Sequence, residues 1–138
     1  MQRFLFIGVG GSGGETLRHL HHELTRRLGL PNGAALPVGW QFVHIDAPLH
    51  AEDRDDLPRL PKGSYVSLTT RGLSYHTVAK TLLKNDGPAQ ADCMPWLPDA
   101  TQVRVPILEG AGQFRAIGRA LAIFRLAQVR TKLDDAAN

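Results

Sequence analysis

Two glycine-rich segments have the residue types and spacing to hold an anion. The first, Gly8-Val9-Gly10-Gly11-Ser12-Gly13-Gly14, follows directly on the apolar run Phe4-Leu5-Phe6-Ile7. A buried strand that ends in such a turn and opens a helix gathers phosphate, because N–H groups of the turn and of the first helical turn converge on one point. The second, Gly110-Ala111-Gly112-Gln113, precedes the longest helical pattern in the chain. Other groupings of reactive residue types carry less. His19, His21 and His22 point in different directions on a helix, so a solvated face is expected rather than a metal site. Glu52, Asp53, Asp55 and Asp56 crowd a proline-rich stretch and read as a solvated loop. Cys93 is the only cysteine and has no Cys or His at ligand spacing, so neither an internal disulfide nor a zinc site is expected.

The elements that must position the glycine segments follow from periodicity. Leu17, Leu20, Leu24 and Leu28 recur at helical spacing from Gly14 to Leu28, with charged residues on the other faces and Gly29 as the stop. Gln41 to Asp46 alternates, carries β-branched and aromatic residues, and reads as a second strand that ends in an acid. His44 on that strand is expected to be a satisfied core or rim histidine. This first unit is β-α-β, which favours a parallel pair. Ser64 to Leu68 reads as a third strand and Ser74 to Lys84 as a helix with Tyr75, Val78, Ala79 and Leu82 on one face. Asn85-Asp86-Gly87-Pro88 ends that helix, Ala89 to Pro98 is irregular with Trp96 as an anchor, and Thr101 to Val105 is a short strand or extended segment. The last helix spans Phe114 to Leu133, and its two stripes, one through Ile117, Leu121, Phe124 and Gln128 and one through Ala122, Leu126, Val129 and Leu133, are together wide for a helix covered on one side. The order is that of an α/β fold, a Rossmann-like parallel sheet with flanking helices.

Composition narrows the partners. At 138 residues the chain fits one small domain, and 43% apolar residues is ordinary for a globular protein. No apolar stretch approaches the roughly 18 residues needed to span a bilayer, and Phe4 to Ile7 is too short for a secretory leader, so a cytoplasmic protein without membrane contact is expected. A net charge of +3 is modest and the arginines are dispersed; without stacking aromatics or a helix-turn-helix pattern, nucleic acid is not an expected partner.

Gly8-Val9-Gly10-Gly11-Ser12-Gly13 satisfies the dinucleotide pattern G-x-G-x-x-G in the right context, with Asp46 as the candidate ribose ligand. Asp46 nevertheless lies 33 residues past Gly13, against the roughly 20 that this fold uses. An adenylating enzyme of the ubiquitin-activating type lacks its C-x-x-C pair and catalytic cysteine here. The second segment separates these readings from a third. Gly110-Ala111-Gly112-Gln113-Phe114-Arg115-Ala116-Ile117-Gly118-Arg119 resembles the GAG-to-GR segment of the tubulin and FtsZ family, and Ile7 to Gly14 resembles that family's first nucleotide loop. The closest resemblance is to the divergent tubulin-like proteins of bacteria. It implies a GTP or GDP site, with Mg2+ accompanying the nucleotide. In it, Gly10, Gly11, Ser12 and Gly13 would offer N–H groups to the α- and β-phosphates, Ser12 adding its hydroxyl. Gly110, Ala111, Gly112 and Gln113 would face the γ-phosphate side, and Arg119 would lie near the sugar and base. Asp46 would stand near the loop that closes over the nucleotide. Arg115, Arg125 and Arg130 are expected in solvent or paired with carboxylates. The chain departs from the family at Glu15, where an asparagine is usual, and at Ala116, where a ribose-contacting glutamate is usual. It also carries no GGGTGTG-type loop and no catalytic acidic loop. What the resemblance implies is thus the N-terminal part of the nucleotide domain, incomplete without a C-terminal half, with hydrolysis by this chain alone not expected. Two alternatives accompany it: a non-hydrolysing assembly module that self-associates through the last helix, and a fragment of an NAD-binding Rossmann domain.

Overall fold

The computed structural model describes residues 2–31, 34–53, 56–84, 95–112 and 114–138. Among them the elements run β1 (Phe4–Val9), α1 (Gly10–Arg27), β2 (Trp40–Asp46), β3 (Tyr65–Ser67), α2 (Tyr75–Lys84), α3 (Arg115–Phe124) and α4 (Leu126–Ala137). The chain forms two compact units, one of Met1–Asp46, His50–Val66 and Arg130–Asn138, the other of Ala47–Leu49 and Ser67–Val129.

The first unit is built on the expected β-α-β. β1 and β2 run parallel, with Phe4 opposite Trp40 and Val9 opposite Ile45, and the sheet order is β1-β2-β3. β2 therefore lies in the middle. Phe42, Val43, His44 and Ile45 are all buried in succession, so this strand is covered on both faces rather than alternating between core and solvent. β1 departs from the expectation of a buried strand: Ile7 is 47% and Val9 69% exposed. Its position explains this, since among the described residues it pairs with β2 alone. α1 packs on β1 and β2, and its apolar stripe supplies Leu17 to a core with Leu36 and Phe42, ringed by Phe6, Leu20, Leu24, Leu30 and Leu60. Phe6 stacks on Phe42 with ring centroids 4.9 Å apart.

α1 starts at Gly10 rather than Gly14, so the glycines expected in a loop form the first turn of the helix. Packing holds a helix more firmly than propensity does, which lets poor helix formers stand there. Its other end is as expected: Gly29 adopts φ +62°, and the N–H groups of Gly29 and Leu30 return to the carbonyls of Arg26 and Thr25. Arg18 and His21 of α1 are turned away from its solvent side. Arg18 is buried, and its guanidinium donates to the backbone carbonyls of Glu52 and Pro58, each at 3.2 Å, and of Leu57. One arginine thereby clamps the acidic, proline-rich loop, whose Asp53 pairs in turn with Arg59. His21, expected in solvent, sets its ring edge-on against Phe42 at 5.1 Å, and burial lowers its pKa.

In the second unit α2 packs on α3, with Tyr75, Val78, Ala79 and Leu82 buried on one helix and Ile117, Ala120 and Leu121 on the other. The single long helix expected from Phe114 to Leu133 is interrupted at Arg125, whose φ of −105° and ψ of 14° leave the helical region. Apolar burial is confined to α3. α4 buries no residue, and Leu126 is 61% exposed. Thr101 to Val105 forms no strand, passing from a turn into irregular chain. Residues Asn85 to Pro88, expected to end α2, and Cys93 lie outside the described residues. No helix among the described residues is long and apolar enough to cross a membrane.

Candidate functional site

The first glycine segment divides its glycines between two tasks. A Cβ at Gly8 would lie 2.4 Å from the carbonyl oxygen of Gly13, one at Gly13 would lie 2.9 Å from the carbonyl carbon of Gly8, and one at Gly14 would lie 2.1 Å from the His44 ring. These three positions let the strand, the helix and His44 approach to backbone contact. At Gly10 and Gly11 an added Cβ meets nothing within 4 Å. Gly10 takes φ +73°, a left-handed conformation that glycine adopts without the steric cost other residues bear. Gly11 and Ser12 are exposed.

The helix that begins there is 18 residues long, and the residue at its N-cap is Val9, whose side chain cannot accept a hydrogen bond from the first turn. That turn contains no acid, Glu15 standing one turn further on. The first N–H groups of α1 and the positive end of its dipole are thus presented at an open glycine face, an arrangement that attracts anions.

Behind this face lies His44. Its Nε2 stands 3.1 Å from the carbonyl oxygen of Gly10 and 3.8 Å from a carboxylate oxygen of Asp46, and its ring meets that of Tyr65 edge-on at 5.1 Å. The expectation of a buried, satisfied histidine holds. Its contact with the glycine turn was not legible from the sequence, because thirty-odd residues separate the two; the only signal was a polar residue between Val43 and Ile45 in the middle of the strand. Asp46 closes β2 as expected and is partly buried. Burial and, secondarily, the charge of Asp46 push the Tyr65 phenol upward.

The second glycine segment lies in the other unit and has a different form. Gly110 has φ +142° and Gly112 φ +59°. A Cβ at Gly112 would come 3.0 Å from Val105. The Phe114 N–H returns to the Ala111 carbonyl at 3.0 Å, and Phe114 is the N-cap of α3, again a residue with no capping side chain. Ala111 borders Gly118 on α3, where an added Cβ would lie 3.7 Å from the Ala111 methyl. The segment after β2 supports this turn: Leu49 donates its N–H to the Leu108 carbonyl at 3.0 Å, and Thr69 Oγ1 donates to the Ala47 carbonyl at 2.8 Å. Arg119 holds its guanidinium 4.2 Å from the centre of the Trp96 ring. Of the other arginines, Arg130 pairs with Asp134 at 3.6 Å and Arg125 lies over Phe124. Gln113 lies outside the described residues.

The structure therefore places Gly10, Gly11, Ser12, Gly13 and Asp46 in the first unit, with His44 beside Gly10 and Asp46, and Gly110, Ala111, Gly112 and Arg119 in the second. No curated protein and no solved structure matches the chain. A family model described as tubulin like matches residues 5–138, which takes in both glycine segments and, but for Phe4 of β1, all of the elements described. With its three-stranded α/β sheet and flanking helices, the chain belongs to the tubulin-like family.

Proposed function

We propose that this chain binds a purine nucleotide, GTP or GDP, with its phosphates at the start of α1. The observation that supports this is the form of that turn in a tubulin-like chain: Gly10 and Gly11 keep an open face at the head of a long helix whose N-cap is a valine. Backbone N–H groups of Gly10 to Gly13 donate to the α- and β-phosphates, and the Ser12 hydroxyl adds a further donor. The roles of Gly110, Ala111, Gly112, Gln113 and Arg119 toward the nucleotide rest on their likeness to FtsZ, as does the preference for guanine. Mg2+ would accompany the nucleotide, where it would neutralise charge on the phosphates. Among the described residues no group of three or more His, Cys, Asp or Glu side chains gathers as a metal site.

Calorimetric titration with GTP, GDP, ATP and NAD tests the reading. GTP and GDP are expected to bind in preference to NAD. Binding of NAD with no response to either guanine nucleotide would sink the proposal and return Asp46 to the role of a dinucleotide ribose ligand.

A further inference from the structure

We infer that His44 is a positioning residue for the glycine turn, aiming the Gly11 N–H at the phosphate. The inference rests on the reading of the start of α1 as the phosphate end of the site. Gly10 is free to occupy either sign of φ, and this freedom makes its peptide the least determined part of the turn. At its φ of +73° the direction of the Gly10 carbonyl is set by rotation about the Cα–C bond, which a contact to that carbonyl holds. His44 Nε2, 3.1 Å from the Gly10 carbonyl oxygen, is placed to supply it as an N–H donor. The Asp46 carboxylate, at 3.8 Å from the same nitrogen, lies beyond hydrogen-bond range and leaves the Gly10 carbonyl as the nearer acceptor.

The consequence follows from peptide geometry. The C=O of Gly10 and the N–H of Gly11 belong to one planar trans unit and point in opposite directions. Drawing the carbonyl inward to a buried imidazole turns the Gly11 N–H outward, to the side where Gly11 is exposed and a Cβ would meet nothing. The ring is itself fixed, buried on the central strand, set edge-on against Tyr65, and so close to Gly14 that no side chain fits between them. β2 thus determines the orientation of a donor that belongs to α1.

Three measurements on the full chain test this. In the ligand-free protein, imidazole nitrogen spectra should show His44 protonated on Nε2; a tautomer protonated on Nδ1 alone overturns the inference whatever the chain binds. His44→Phe keeps a ring and removes the donor, and His44→Gln keeps a donor. The Gly11 amide resonance of the ligand-free protein should shift and broaden in the first variant and recover in the second. Affinity for GDP should fall about tenfold in His44→Phe, the loss of one hydrogen bond's net contribution, with guanosine binding unchanged and His44→Gln restoring most of the loss. An equal loss for GDP and guanosine, or a Gly11 amide unmoved in His44→Phe, overturns it. Should the wild-type chain bind no guanine nucleotide, the nucleotide reading fails while the tautomer and the Gly11 resonance still decide the role of His44.

Discussion

The two glycine segments look alike in sequence and are held in opposite ways. In the first, Gly8, Gly13 and Gly14 are required by space, since a Cβ at any of them would run into backbone or into a fixed ring, and Gly10 alone is held by a positive φ. In the second, Gly110 and Gly112 are required by backbone conformation, both lying at positive φ. The first is the seam between a parallel strand pair and a helix packed on it. The second follows irregular chain and is tied by single backbone hydrogen bonds, such as that from Leu49 to Leu108. The first turn tolerates change only where it faces outward without a positive φ, as at Gly11, whereas a turn fixed by dihedral angles tolerates it only where φ is negative.

Five changes would break or sharpen this contrast. Gly8→Ala should have the largest effect, a loss of about 3 kcal/mol by urea denaturation, because the atom it meets is the Gly13 carbonyl oxygen and backbone cannot rotate aside. An unaffected midpoint would show that the strand–helix seam is looser than described. Gly112→Ala should cost about 1–2 kcal/mol, the penalty of a left-handed alanine, augmented by the nearby Val105 methyl. A loss as large as that of Gly8→Ala would erase the distinction between the two turns.

Gly11→Ala should do little to the fold, and its midpoint should stay within about 0.5 kcal/mol of the parent, since its Cβ meets nothing and its φ is not positive. The same methyl group stands on the open face, so GDP affinity should drop while stability does not. A parallel loss of both would place Gly11 with the packing glycines. The smallest effect concerns pH. Hydrogen bonds from Arg26 and Arg27 lower the Glu23 carboxyl in α1 to about 2. A carboxyl depressed in the folded state stabilises above its unfolded pKa of about 4.3 and loses that contribution as pH falls toward the folded value. Glu23→Gln should therefore flatten the acid limb of stability between these limits, by a small loss at neutral pH, where the Glu23 contribution is fully present, and no change at the acid end, where it is already gone. In the second unit Asp99 is lowered by the Thr101 N–H and hydroxyl, so Asp99→Asn supplies the matching measurement. Identical acid limbs in Glu23→Gln and the parent would remove the α1 contribution.

The order of elements, the β-α-β start, the Gly29 stop and the faces of α2 were legible in the sequence, because each is a local matter of periodicity, dihedral preference or a chain-breaking residue. So was the family likeness, which sits in two short segments whose glycines are dictated by backbone needs. Tertiary structure alone decided what covers each face. β2 became a strand buried on both sides and β1 an exposed one through their places in the sheet. Arg18 and His21 turned inward to carbonyls and to Phe42, and the last helix broke at Arg125 with its burial confined to α3. His44 against Gly10 is the clearest case. Sequence spacing reports which residues share a face of one element, but a contact between a strand and a distant turn exists only after the chain has folded the two together.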